Sequence, residues 1–238
     1  MKTIWLLFAF FLVLFSCTKT ENNTEITGNV KGLKKGTLYL QQIIDTTTVT
    51  IDSIPIKGNG EFAFSLQLEI PEVLYLFLRK TEGIEISDRL AIFAEPGKIG
   101  VQTSLKNFEN DATITGSVNH QKLVEYRKLM QRFNDKNLDL IKEKFENQQS
   151  NNEERFSDIN QQMDLLVKNK YLSTINFALN NKDYEIAPYL AISEIFDANI
   201  KYLDTIYTSL SAEVKVSTYG KELEKFILER KKSEMVRE

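Results

Sequence analysis

Cysteine is almost absent from this 238-residue chain: Cys17 stands alone. Its solitude excludes an intramolecular disulfide, a CxxC redox pair and a thiolate zinc site together. Histidine is as scarce, with His120 the single one, so a transition-metal centre has too few soft ligands to form. Gly-rich phosphate loops, a GxSxG nucleophile elbow and a DxDxDG calcium loop are all missing. Neither sign of charge dominates, with 30 Lys and Arg against 33 Asp and Glu and a formal net charge of −3. A general attraction to nucleic acid or to anionic lipid is therefore not expected. The apolar run from Ile4 to Phe15 is only twelve residues long, short of the ~20 that a spanning helix needs.

What is present begins with that run. Lys2 precedes it, four Phe lie within it, and Ser16-Cys17 closes it before the polar stretch Thr18 to Asn23. This is the layout of a secretory signal with a small-residue cleavage site. With Cys17 directly after Ser16, it resembles a bacterial lipobox, although Phe15 departs from the small residue usual there. The expectation is a signal peptide over 1–16, then a lipidated N-terminus at Cys17, carrying palmitate, and a tether over 17–23. Membrane contact then comes from the anchor, on the periplasmic or surface face of the outer membrane in a cell envelope.

From Thr24 to Ser117 apolar residues alternate with polar ones, as in half-buried strands. Ile26, Gly28 and Val30 open the series, and Leu38-Tyr39-Leu40 begins a second strand. Thr46 to Ile56 is rich in Thr, Val and Ile. Its apolar parity shifts between Ile51 and Ile54, predicting a bulge near Asp52-Ser53, and Pro55 predicts an edge. Gly58-Asn59-Gly60 predicts a tight hairpin. Phe62, Phe64, Leu66, Leu68 and Ile70 line one face, while Val73 to Leu78 is apolar on both and reads as a central strand.

After Ser117 the period changes. Leu123, Tyr126, Met130, Phe133, Asn137, Ile141 and Phe145 recur at helical spacing. Phe156, Ile159, Met163 and Leu166 resume it beyond a Gln/Asn break at 148–152, which predicts an antiparallel helical hairpin. Shorter helices are predicted over about 188–196 and 199–210, and a last one over about 214–232. The fold class is α+β: an antiparallel β-sandwich or open barrel over 24–118, followed by a helical domain over 119–238 with a long helical hairpin.

Four short stretches carry a resemblance: Thr24–Val30, Gly58–Phe62, Glu95–Ile99 and Ile114–Asn119. Together they are similar to the domain of unknown function 4369. That domain stands at the N-terminus of envelope thiol–disulfide interchange lipoproteins, whose C-terminal domain is thioredoxin-like, of AhpC/TSA type. Ser217-Thr218-Tyr219-Gly220-Lys221-Glu222-Leu223 is similar to the helix leading into their thioredoxin domain. The chain stops at Glu238, about where that domain would begin, and has no second cysteine. The resemblance therefore implies an accessory or stand-alone anchored domain, and no catalytic residue is carried over from it.

Remaining clusters point to ordinary structural roles. His120 reads as a polar helix-start residue. Glu82, Glu85 and Asp88, and Glu143, Glu146, Glu153 and Glu154, read as solvated charge. Lys31, Lys34 and Lys35, and Lys225, Arg230, Lys231 and Lys232, read as solvated cations. Tyr75, Phe77, Phe93 and Tyr126 read as core. Asp45-Thr46-Thr47, Asp52-Ser53-Ile54 and Asp204-Thr205-Ile206 resemble periplasmic O-glycosylation acceptors, which makes Thr46, Ser53 and Thr205 candidate attachment points. No enzyme activity, cofactor, metal or nucleic acid is expected. The functional expectation is a membrane-anchored envelope module that binds a partner protein or glycan without catalysis. The alternative is an accessory to thiol–disulfide exchange, working with a separately encoded thioredoxin-like protein.

Overall fold

The computed structural model describes residues 22–44, 46–79, 89–150 and 152–235. The strands are β1 (Thr24–Lys31), β2 (Lys35–Ile44), β3 (Thr47–Lys57), β4 (Glu61–Leu66), β5 (Glu72–Arg79), β6 (Arg89–Ala94), β7 (Gly97–Ser104) and β8 (Thr113–Thr115). They form two four-stranded sheets, ordered β4-β1-β7-β8 and β3-β2-β5-β6. Alternation decides what lies between them. Ile26, Val30, Phe64 and Ile99 of one sheet meet Leu38, Leu40, Leu74, Leu76 and Ile92 of the other in a single apolar core. The sandwich is thus two open sheets, not a closed barrel.

Three expectations about the strands change. The sandwich is not wholly antiparallel, because β1 pairs in parallel with β7, Ile26 opposite Ile99. Gly58-Asn59-Gly60 is not a hairpin: it carries the chain from β3 in one sheet to β4 in the other. Its glycines have φ of 119° and 75°, which suits a reversal of any kind, so the Asn-Gly pair signalled the turn but not its partner strands. The bulge falls at Ile51, where the register steps from Leu40 opposite Asp52 to Gln41 opposite Thr50. As Pro55 implied, β3 is an edge.

The helices are α1 (Val118–Ser150), α2 (Glu153–Asn180), α3 (Ile186–Glu194), α4 (Ile200–Ser209), α5 (Ala212–Lys215) and α6 (Thr218–Met235). The predicted hairpin is present as α1 and α2, with Asn152 capping α2 by accepting from the Arg155 N–H. The predicted last helix is two, α5 and α6, because Ser217 stops the first and starts the second. Its hydroxyl donates to the Val214 carbonyl at 2.7 Å and accepts from the Gly220 N–H at 3.3 Å.

Sheet β3-β2-β5-β6 is covered on its second face over β5 and β6, as the two-sided strand β5 predicted. Val73, Ala91 and Phe93 point away from the sandwich core and pack on Leu123, Tyr126 and Met130 of α1 and Ile186 and Leu190 of α3. Helix α3 is the wedge of the molecule. Ile186 and Leu190 face the sheet, while Ala187 and Ala191 face a second apolar cluster with Leu203, Ile206, Val214 and Leu223. Alanine at those positions lets the helices approach closely.

Candidate functional site

The junction of sheet and helices holds three buried polar residues within four positions, Ser117, Asn119 and His120, at the start of α1. Ser117 Oγ accepts from the His120 N–H at 2.9 Å, an N-cap. Asn119 donates to Glu95 Oε2 at 3.1 Å and to Glu185 Oε2 at 2.9 Å, and accepts from the Ile186 N–H at 2.9 Å. One side chain therefore joins the β6–β7 turn, α1 and the head of α3. Glu95 also accepts from the Val118 N–H, placing a carboxylate against the N-terminus of α1, where the helix dipole favours it.

His120 is 4 % exposed, and its Nδ1 accepts from the Phe93 N–H at 3.3 Å. Burial, with a smaller contribution from Arg127, lowers its pKa to about 4, so the imidazole is neutral at pH 7. Phe93 packs edge-on against Tyr189 and Tyr219, with centroids 5.5 and 5.8 Å away. Tyr219 Oη in turn accepts from the Val73 N–H at 2.8 Å. That amide lies beyond Leu74, the last residue of β5 paired with β2. Burial raises the Tyr219 phenol far above its ordinary range and the Tyr189 phenol to about 12. These groups are spent on each other and on the backbone. The cluster is a clasp: it holds a neutral imidazole and neutral phenols in fixed positions, with no activated nucleophile beside them.

The stretch Ser217–Leu223 is explained by the same clasp. Ser217 caps, Tyr219 reaches the sheet and Leu223 is buried in the helical core. A Cβ on Gly220 would run into the Val214 carbonyl. Sequence gave no sign of the Asn119 and Tyr219 contacts, since their partners lie 67 and 146 residues away.

The other sequence-derived positions scatter. Cys17, Glu82, Glu85 and Asp88 lie outside the described residues. Thr46 and Ser53 are exposed on the β2–β3 hairpin, well apart from Thr205 on α4, whose hydroxyl donates to the Lys201 carbonyl at 2.7 Å. Glu143 pairs with Arg155 across the hairpin and Glu146 with Lys142 at 3.9 Å. Glu153 and Glu154 occupy the first turn of α2. Lys31, Lys34 and Lys35 are exposed. Arg230 is not simply a solvated cation: it donates to the Phe196 and Ala198 carbonyls at 2.8 Å each, and Lys231 meets Asp204 at 2.7 Å. Phe93 and Tyr126 are core as expected, and Tyr75 packs against them. Phe77 lies at the rim, with its ring 6.0 Å from Tyr39 and 5.9 Å from the Arg89 guanidinium.

The distal half of the helical hairpin is different in kind. Past Phe133, no residue of α1 belongs to the sheet-facing cluster. Between 131 and 158 only Leu140 and Asn147 are buried among the described side chains. Ile141 and Phe145, expected on the inner stripe, are instead 46 % and 65 % exposed, with Leu138 beside them at 64 %. The reason is angular. Steps of four from Phe133 to Phe145 drift ~120° around a 3.6-residue helix, whereas 133, 137, 140, 144 and 147 keep one face toward α2. Leu138, Ile141 and Phe145 consequently form a second stripe, turned away from α2. At the tip, Asn147, Gln148, Asn152, Glu153 and Phe156 border an open depression of about 650 Å³.

The fold is thus a two-sheet sandwich clasped to a helical unit by buried polar and aromatic groups, with a two-helix arm extending beyond the clasp. Residues 24–123, from β1 through the first turns of α1, match the family model described as a domain of unknown function (DUF4369). No curated protein matches the chain.

Proposed function

We propose that this protein is a lipid-anchored component of a bacterial cell envelope, held at Cys17, and that it works as a non-enzymatic interaction module. Its contact surface is the outer face of α1 in the distal hairpin. The observation that carries the reading is the stripe Leu138, Ile141 and Phe145, 46 to 65 % exposed on an arm whose described residues add nothing to the apolar clusters of the body. Such a stripe on a helix suits an apolar groove or an amphipathic helix of a partner protein. It suits a glycan poorly, because two of the three side chains are aliphatic and offer neither a flat ring nor a hydrogen bond. The flanking Arg132, Asp135, Asp139 and Lys142 supply a mixed polar rim.

A photo-crosslinker at position 138, in cells making the full chain, tests this. A discrete protein adduct that disappears in Phe145→Asp, with the same amount of folded protein, is the expected outcome. Absence of any adduct in the parent, with unaltered behaviour of a Leu138→Asp/Phe145→Asp chain in the cell, would overturn it. A second reading rests on the likeness of Thr24–Val30, Gly58–Phe62 and Ser217–Leu223 to thiol–disulfide interchange lipoproteins. It makes the partner a separately encoded thioredoxin-like protein, and is supported if the adduct contains one.

A further inference from the structure

The strand pairing brings two features to one end of the sandwich. Asn23, where the N-terminal tether enters, accepts through its backbone carbonyl from the Gly97 N–H at 3.0 Å and exchanges side-chain hydrogen bonds with Leu68 at 2.7 and 2.8 Å. Gly97 follows β6, whose last residue Ala94 lies opposite Glu72. Glu72 accepts from Gln42 at 2.5 Å, near the end of β2. The tether and the tip of the β2–β3 hairpin therefore share an end, with the Gly58–Gly60 turn at the other.

That tip is a bare two-stranded ribbon. Beyond Gln42 opposite Leu74, β2 has lost β5 and keeps only β3, as far as Ile44 opposite Thr47. Ile43, Ile44, Val49 and Ile51 are 42, 50, 40 and 39 % exposed. From Gly36 to Ile51 the one charged residue is Asp45, between the two strands. Edge strands facing water usually carry charge along their length to prevent pairing, so aliphatic strands with a charge only between them call for a cover. Lys31, Lys35, Lys57 and Arg79 lie toward the other end, and Glu25, Glu72 and Lys98 near this one.

We propose that the cover is the lipid bilayer: the β2–β3 ribbon dips Ile43, Ile44, Val49 and Ile51 into the interfacial layer beside the anchor. This rests on lipidation at Cys17 as given above. The argument for this occupant is chain length. Five residue steps separate Cys17 from Asn22, so even fully extended the tether spans at most about 18 Å. An anchored protein has no means of holding this end far from the membrane, and the aliphatic ribbon lies at the same end. Glu25, Glu72 and Lys98 at this end form no cationic patch, so the contact is one of apolar burial and not of charge.

The test uses the full lipidated chain in phosphatidylcholine vesicles. Lipidation consumes the native thiol, so Val49→Cys offers a single site for an environment-sensitive fluorophore; Ile44→Cys is a second, and Asn59→Cys at the opposite end is the control. The expected result is a blue-shifted label at 49 and 44, quenched several-fold by lipid-borne spin label, unchanged in 1 M salt or on adding anionic lipid, with the label at 59 unaffected. A vesicle-bound protein whose labels at 49 and 44 remain in water overturns the ribbon contact and leaves the anchor standing. A chain that fails to float with vesicles overturns the anchor, and the ribbon contact with it. Blue shift that grows with protein concentration without lipid identifies a second copy at the edge of β3, and likewise overturns the proposal.

Discussion

Asn119 and His120 are neighbours in sequence with opposite jobs. Asn119 uses both ends of its amide to join Glu95, Glu185 and the Ile186 N–H. Asn119→Ala leaves a buried N–H and two carboxylates short of a partner and is expected to cost about 2–3 kcal/mol, read from denaturant midpoints. His120 acts through its neutral form. Because its folded pKa is lowered to about 4 from 6.5, the unfolded chain takes up the proton first as pH falls. Stability associated with His120 is full above about pH 6.5 and is lost progressively toward pH 4, by up to about 3 kcal/mol. Glu72, whose pKa burial raises, works in the opposite sense at the acid end. Comparison of parent and His120→Gln stability across pH 4–7 isolates the histidine: a flatter profile in the variant is expected, and parallel profiles would refute the assignment. Gly116 is a third such position. Its φ is 87°, and a Cβ there would meet the Lys98 carbonyl, so Gly116→Ala should lose at least about 2 kcal/mol.

At the scale of elements, α1 changes character along its length. Its first four turns are part of the body, and its last four pair only with α2. Two substitutions separated by a few residues should therefore behave differently. Leu140→Ala removes a side chain 1 % exposed and is expected to destabilise by about 2–4 kcal/mol. Leu138→Ala, 64 % exposed, should change the unfolding midpoint little while weakening the partner adduct formed by a crosslinker at position 141. Equal destabilisation by both would mean that the arm is packed differently. The hairpin itself was legible from the helical period and the Gln/Asn break. Its inner face was legible only as far as Phe133. Beyond that point Asn137, Lys144 and Asn147 take inward positions, and polar residues facing a partner helix cannot be told from polar residues facing water by period alone. The strands show the same limit. Alternation found each strand, and Pro55 found an edge, but the parallel pairing of β1 with β7 joins residues some 73 apart, which no local pattern carries.

For the whole molecule, the physical contrast is between a clasped body and a thin arm. Native-state hydrogen exchange should show it: amides from about 134 to 158 are expected to exchange well ahead of those at 120–130 and 174–190, because few buried contacts hold the arm closed. Uniform protection along α1 would contradict this. The proposed lipid anchor belongs to the same scale. Cys17→Ala is expected to move the protein from the membrane fraction to the soluble one and to abolish palmitate labelling, and unchanged fractionation would sink the anchored reading.

Composition and period by themselves determined much. One cysteine and one histidine exclude an intramolecular disulfide, a CxxC pair and a thiolate zinc site among these residues, because the ligands are not there. Period two giving way to period 3.6 near Ser117 determined a β unit followed by a helical one, because burial of one face forces that spacing. Only the tertiary structure decided how the two join and what is left over. The clasp of Asn119, His120 and Tyr219 depends on backbone amides brought close by folding, and an amide has no sequence signature. Ile141 and Phe145 read as inner-face positions by period, and their exposure, like that of Leu138 and of the ribbon from Ile43 to Ile51, emerges only where packing runs out of surface to cover them.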